Sequence, residues 1–210
     1  MVNIYLIRHG QTELNVKNMI SGQVETNLTP LGRQQALDTA LKLHEEGVIF
    51  DVILSSPLQR AKDTAEIISS VIKAPLVFDS DLMEFNNGDY EGTSVEDLKQ
   101  KHFNPSYKIN GLEFDNGADM VAAYSSFDSK YDVFAYPNGE TKIQARDRFM
   151  GAVRKYLQTH REVENLAVVA HGGVIRFMIL KISPQSIEEK IKNAEVKLVR
   201  FDRDKNCFMI

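Results

Sequence analysis

Apolar runs and helical stripes alternate along this chain. Ile4-Tyr5-Leu6-Ile7 is apolar at every position, as in a strand buried on both faces, and it runs directly into Arg8-His9-Gly10. A polar stretch carrying Gly and Asn follows from Gly10 to about Thr29, long for a βα connection and so a candidate functional loop. Thr29-Pro30 offers a hydroxyl cap and a proline at the first helical position, with Leu37, Ala40, Leu41 and His44 at helical spacing and a stop at Gly47. Asp51–Ser55 predicts a second strand. Ser56-Pro57-Leu58-Gln59 reads as a capping box opening a helix whose buried stripe is Leu58, Ala61, Ala65 and Ile68. Pro75–Phe78 is a short third strand, ahead of the loop Asp81-Leu82-Met83-Glu84-Phe85.

From about Lys99 to Asn138 the alternation lapses, and aromatics (Phe103, Tyr107, Phe114, Tyr124, Phe127, Tyr131, Phe134, Tyr136) scatter among polar residues. Helices are expected near Val95–His102 and Ala118–Phe127. A long helix should run from Gly139–Glu140 to about His160, with Ala145, Phe149, Ala152, Val153, Tyr156 and Leu157 as its apolar face. Leu166-Ala167-Val168-Val169-Ala170 is the clearest strand, and His171-Gly172-Gly173 turns it into an apolar helix ended by Ser183-Pro184. A charged helical segment to Lys192 and a hairpin of Val196–Asp202 with Cys207–Ile210 close the chain.

This order predicts an α/β fold: a three-layer α/β/α sandwich with a mainly parallel central sheet and an antiparallel hairpin at one edge. The 210 residues suit one domain over 1–210. Within it, 99–138 reads as an inserted lid, since a stretch of about 40 residues hardly builds a core alone.

Composition narrows the partners. Hydrophobic content of 43% and charged content of 26% are ordinary for a globular chain, and a net charge of -4 disfavours general binding to nucleic acid or an anionic membrane. No apolar run has membrane-spanning length, and Arg8-His9 interrupts the apolar N-terminal stretch, which lacks the basic start of a signal peptide. The single cysteine, Cys207, sits in an apolar run and reads as a packing residue in a reducing, cytoplasmic setting.

Parallel strands would bring Arg8-His9, Arg60 and His171 to one sheet edge, where open α/β sheets hold ligands. Alone, Arg8 and His9 read as a solvated strand end; together the four groups form an anionophilic crevice. Guanidinium forks match phosphate oxygens, and helix N-termini such as that at Gly172 add backbone donors. Like charge pushes an imidazole toward its neutral form, able to attack phosphorus. Glu84 is the best-placed carboxylic acid for protonating a leaving alkoxide, although Asp89 and Glu91 lie close in sequence. His171 would help the arginines stabilise the equatorial oxygens. His44, His102 and His160 read as solvated helix residues.

Four stretches carry a resemblance: Leu6-Ile7-Arg8-His9-Gly10-Gln11-Thr12-Glu13-Leu14-Asn15, Ser55-Ser56-Pro57-Leu58-Gln59-Arg60-Ala61-Lys62-Asp63-Thr64-Ala65, Leu82-Met83-Glu84 with Gly88–Gly92, and Val169-Ala170-His171-Gly172-Gly173. In this order and spacing they resemble the histidine phosphatase superfamily, the phosphoglycerate mutase-like group. The resemblance implies His9 as a phosphohistidine nucleophile, Glu84 as proton donor, and Arg8, Arg60 and His171 as a phosphate clamp. It also implies phosphate contacts from Asn15, Ser21, Gly22 and Gly172, with no metal and no cofactor.

A mutase needs a second cationic site for its bisphosphorylated intermediate. No arginine lies between Arg60 and Arg146, and Lys101, Lys108 and Lys130 face Glu113, Asp115, Asp119, Asp128 and Asp132. Tyr136-Pro137-Asn138-Gly139-Glu140-Thr141 resembles the phosphatase branch. The expected function is a phosphomonoesterase for small phosphorylated metabolites with an apolar or neutral leaving group. The alternatives are a 2,3-bisphosphoglycerate-dependent mutase and a non-catalytic phospho-ligand-binding member.

Overall fold

The structure is a computed structural model that describes residues 1–126, 129–184 and 190–210. In chain order its elements are β1 (Val2–Arg8), α1 (Glu13–Val16), α2 (Pro30–Glu45), β2 (Val52–Ser55), α3 (Gln59–Ile72), β3 (Leu76–Phe78), α4 (Val95–Lys99), β4 (His102–Ile109), β5 (Leu112–Asn116), α5 (Gly117–Ser125), α6 (Lys142–Thr159), β6 (Asn165–Ala170), α7 (Gly172–Ile182), β7 (Val196–Asp202) and β8 (Cys207–Met209). Most of the charged segment expected before Lys192 lies outside the described residues. No helix among the described residues is long and apolar enough to cross a membrane.

Two compact units emerge: residues 1–12, 25–84 and 146–210, and residues 13–24 with 85–145. The first holds a six-stranded sheet in the order β3-β2-β6-β1-β7-β8. Strands β3, β2, β6 and β1 run parallel, while β7 pairs antiparallel with β1 and β8 with β7. The expected α/β class, mainly parallel sheet and antiparallel edge hairpin are all present. Alternate strand residues (Ile7, Ile53, Ala167, Val169) pack with Ala40 and Leu43 of α2 and Ala61, Ala65 and Ile68 of α3. Their neighbours Ile4, Leu6, Leu54, Leu166 and Val168 are fully buried too, as are Phe149 and Val153 of α6 and Val174, Ile175 and Met178 of α7. A sheet buried on both faces explains why these strands read as continuous apolar runs.

The helix after β2 corrects one expectation. Helix α3 opens with Leu58 as N-cap and no side-chain capping bond, so the Ser56–Gln59 capping box does not form. Instead the Glu25 carboxylate accepts from the Gln59 N–H at 2.9 Å, and Gln59 Nε2 turns to Asp63 at 2.5 Å. Pro57 leaves Ser56 outside the helix and available for other work.

The second unit is larger than the expected insertion at 99–138 and has a core of its own. Ile20, Leu98, Phe114, Met120, Ala123, Phe134 and Tyr136 are buried together. The sequence reading has no strands here, yet β4 and β5 form an antiparallel hairpin in which Ile109 pairs with Leu112. Its two-residue turn, Asn110-Gly111, has φ of 47° and 80°, the left-handed pair that Asn-Gly adopts cheaply. Helix α5 is capped by Asn116 at its start. At its end the buried Lys142 ammonium donates to Ala123 O at 2.7 Å and Ser126 O at 2.8 Å.

Candidate active site

Strand register places the chemistry. Arg8 pairs with Ala170, and Ser55 with Val169, so the next residues along β1, β2 and β6 are His9, Ser56 and His171. The ladder continues one step beyond the strands: His9 N–H donates to Ala170 O at 2.9 Å, and Ser56 N–H to Val169 O at 3.0 Å. With β6 between β2 and β1, His171 stands beside both neighbours. The rings of His9 and His171 have centroids 5.2 Å apart, and Arg60, two residues into α3, is fully buried.

The tautomer of His9 follows from its partner. Nδ1 lies 2.7 Å from Gly10 O, and a carbonyl can only accept. The ring proton therefore sits on Nδ1, and Nε2 carries the lone pair. Burial, then Arg60 and Arg8, push the His9 pKa well below its ordinary value, with the Gly10 bond as a smaller opposing influence. The result is a neutral imidazole with an exposed-to-ligand nitrogen. Gly10 permits this turn because a Cβ there would come within 2.2 Å of Gly32 O. Its N–H donates to Thr64 Oγ1 at 3.1 Å, while His9 O accepts from Asn193 Nδ2 at 3.1 Å.

Ser56 is the partner of the other imidazole. Its Oγ accepts the Leu58 N–H at 3.3 Å and lies 2.8 Å from His171 Nε2. With the Ser56 hydroxyl donating to Nε2, the His171 proton sits on Nδ1, a buried atom without a partner among the described residues. Burial first, then Arg60, His9, Arg8 and Arg148, hold the His171 pKa well below the ordinary value. Arg8 donates to Ile191 O at 2.5 Å and packs its Nε against Gly172, where a Cβ would lie 3.1 Å away. Burial lowers its pKa, opposed by the carboxylates of Glu84 and Glu195.

Glu84 reaches the same place from the loop after β3. Its Oε2 accepts from Gly173 N–H at 2.9 Å and its Oε1 from Val174 N–H at 3.0 Å, in the first turn of α7. His171 is the N-cap of that helix and makes no side-chain capping bond. Glu84 thus serves as the cap from a distance, leaving the Gly172 N–H as a donor for an incoming anion.

Neutral buried histidines tie stability to pH. Between the ordinary histidine pKa near 6.5 and the lower folded-state values, the unfolded chain binds more protons than the folded one. Stability therefore falls as pH drops below about 6.5, by on the order of 1 kcal/mol per pH unit for each histidine kept neutral. Thermal midpoints measured from pH 7.5 to 5 should decline, and less steeply in His171→Asn. Equal slopes would show that these imidazoles are not the groups responsible.

The expected residues Arg8, His9, Arg60, Glu84, His171 and Gly172 all fall in the first unit. Asn15, Ser21 and Gly22 fall in the second. Asn15 lies in α1, Ser21 Oγ is 3.5 Å from Met19 O, and the neighbouring Gln23 N–H donates to Glu91 at 2.7 Å. Sequence reading missed Ser56 as a partner of His171, because serine before Pro-x-Gln is also a helix-capping signature. It also missed Thr64 and Asn193, whose bonds to the Arg8–Gly10 backbone leave no spacing pattern.

A family model described as the histidine phosphatase superfamily (branch 1) matches residues 4–116 and 107–209. The chain belongs to the histidine phosphatase superfamily. Among similar members, an Arabidopsis thaliana protein named metal-independent phosphoserine phosphatase is 34% identical over 95% of this chain and 76% of its own length. A Bartonella bacilliformis 2,3-bisphosphoglycerate-dependent phosphoglycerate mutase is 30% identical over 89% of this chain and 84% of its own. The solved structure titled Bacillus stearothermophilus YhfR shares the fold, with a TM-score of 0.81 at 24% identity over 100% of this chain and 95% of its own.

Proposed function

We propose that this superfamily member is a metal-independent phosphomonoesterase that acts on small phosphorylated metabolites through a phosphohistidine at position 9. The observation that carries the reading is His9 itself. It is buried and neutral, its Nδ1 proton held by Gly10 O, and it stands among Arg8, Arg60 and His171. Nε2 attacks phosphorus and forms the P–N bond as the ester P–O bond breaks. Glu84, in its acid form, gives its proton to the departing alkoxide. Water then attacks the phosphohistidine, Glu84 takes back a proton, and the P–N electrons return to Nε2. Arg8, Arg60, His171 and the Gly172 N–H hold the equatorial oxygens throughout.

Charge in the second unit favours hydrolysis over mutase chemistry. Residues 13–24 and 85–145 contain no arginine and six lysines against eleven Asp and Glu. Several of those lysines are engaged: Lys99 with Glu96, Lys108 with Glu113, Lys101 over Tyr90, Lys130 over Tyr131 and Lys142 with two carbonyls. That composition suits a monophosphate ester with a neutral or apolar alcohol better than a bisphosphate. The single cysteine fits a reducing, cytoplasmic setting.

The test is hydrolysis of p-nitrophenyl phosphate in excess chelator, then a monoester panel including phosphoserine and 3-phosphoglycerate. Turnover indifferent to chelator and an acid-labile label at His9 are expected. Dependence on added metal, or faster conversion of 3-phosphoglycerate to its isomer than to glycerate, would overturn the reading.

A further inference from the structure

Arg148 belongs to none of the four motifs, yet it governs the main chain that presents Glu84. From the first half of α6 its Nη1 donates to Asp81 O at 2.7 Å and Met83 O at 3.0 Å, and its Nη2 to Glu84 O at 3.2 Å. The carbonyls belong to the turn that follows the edge strand β3, a stretch with only a short 3-10 helix at Ser80–Leu82. One rigid guanidinium fork thus supplies donors that a lone ammonium could not aim at three diverging carbonyls.

Glu84 is therefore gripped twice. Arg148 fixes its backbone carbonyl, and the Gly173 and Val174 N–H groups fix its carboxylate. The second grip alone does not define a proton donor's position, because a carboxyl on a free loop can rotate about the helix terminus. With both ends held, the side chain spans a set distance between α6 and α7. Arg148 also lies near enough to His171 for its charge to be felt there.

We propose that Arg148 is a positioning residue for proton delivery: by pinning the 81–84 turn it sets where the Glu84 carboxyl meets the leaving oxygen. This rests on the reading of Glu84 as the acid. A mere loop staple would affect all substrates alike, whereas a positioning role depends on the leaving group. An alkyl alkoxide needs its proton during P–O cleavage; p-nitrophenolate leaves without one.

The experiment compares kcat/KM, which reports the step through P–O cleavage, for p-nitrophenyl phosphate and for glycerol 1-phosphate. Glu84→Gln should cost the alkyl ester about 10²-fold or more and the aryl ester far less. Arg148→Met should reproduce that bias, since misplacing a catalytic group by about 1 Å can cost 10²-fold. Arg148→Gln carries the same comparison if the methionine variant does not fold. Equal loss on both esters would reduce Arg148 to a staple and overturn the inference while leaving Glu84 intact. Absence of bias in Glu84→Gln would overturn the acid assignment, and the inference with it.

Discussion

Replacing His9 with asparagine should abolish hydrolysis of alkyl and aryl phosphates alike, by about 10⁴-fold or more. Asparagine keeps an N–H able to face Gly10 O, which holds Nδ1 at 2.7 Å in the native protein. It has no lone pair where Nε2 stands, so P–N bond formation stops and no phosphorylated protein accumulates. The arginines and His171 remain, so inorganic phosphate should still bind. Rapid-quench labelling with a radioactive monoester reads the first point, and phosphate-induced thermal stabilisation the second. Residual turnover within tenfold of the native rate would mean that water, not an imidazole, attacks phosphorus.

The second large effect is expected at Arg60. This fully buried guanidinium is the strongest charge acting on both His9 and His171 after burial itself. Arg60→Met removes a cation that the proposed mechanism aims at the phosphoryl oxygens and should lower kcat/KM by about 10²–10³-fold. The pH profile should move with it. In the native protein the His9 pKa is held well below ordinary, so activity should persist into mild acid. Without Arg60 that pKa rises, protonation begins at higher pH, and the acid limb of kcat/KM shifts upward. Arg8 and burial still act, so the shift is partial. A reduced rate with an unmoved acid limb would assign the neutral imidazole to burial alone.

Much of the candidate site was legible in the sequence because Arg8 ends one buried apolar strand, and His9 and His171 each follow such a strand directly. Ile4–Ile7, Val52–Leu54 and Leu166–Ala170 are recognisable as strands, and the residues that follow them fall at one edge once the strands are parallel. Ser56 carries a misleading local signal, since a hydroxyl three residues before a glutamine satisfies a capping rule that tertiary contact with His171 overrides. The hairpin at Tyr107–Phe114 carried a clear local signal in Asn110-Gly111, obscured by the mixed polar and aromatic pattern around it. Arg148 left no signal: its acceptors are main-chain carbonyls 64 to 67 positions away.

The sequence by itself determined the strand and helix alternation, the family, and which histidines and arginines are the candidates for the site. These follow from local pattern: apolar runs specify buried strands, and motif residues keep their place relative to strand ends. Only the tertiary structure decided the protonation geometry. Which nitrogen of His9 holds the proton depends on Gly10 O, and which nitrogen of His171 holds it depends on Ser56, 115 positions away. The seat of Glu84 depends on α6 and α7, which the chain reaches only after the whole second unit. Hydrogen bonds between distant segments are set by how layers pack, and no spacing along the chain records them.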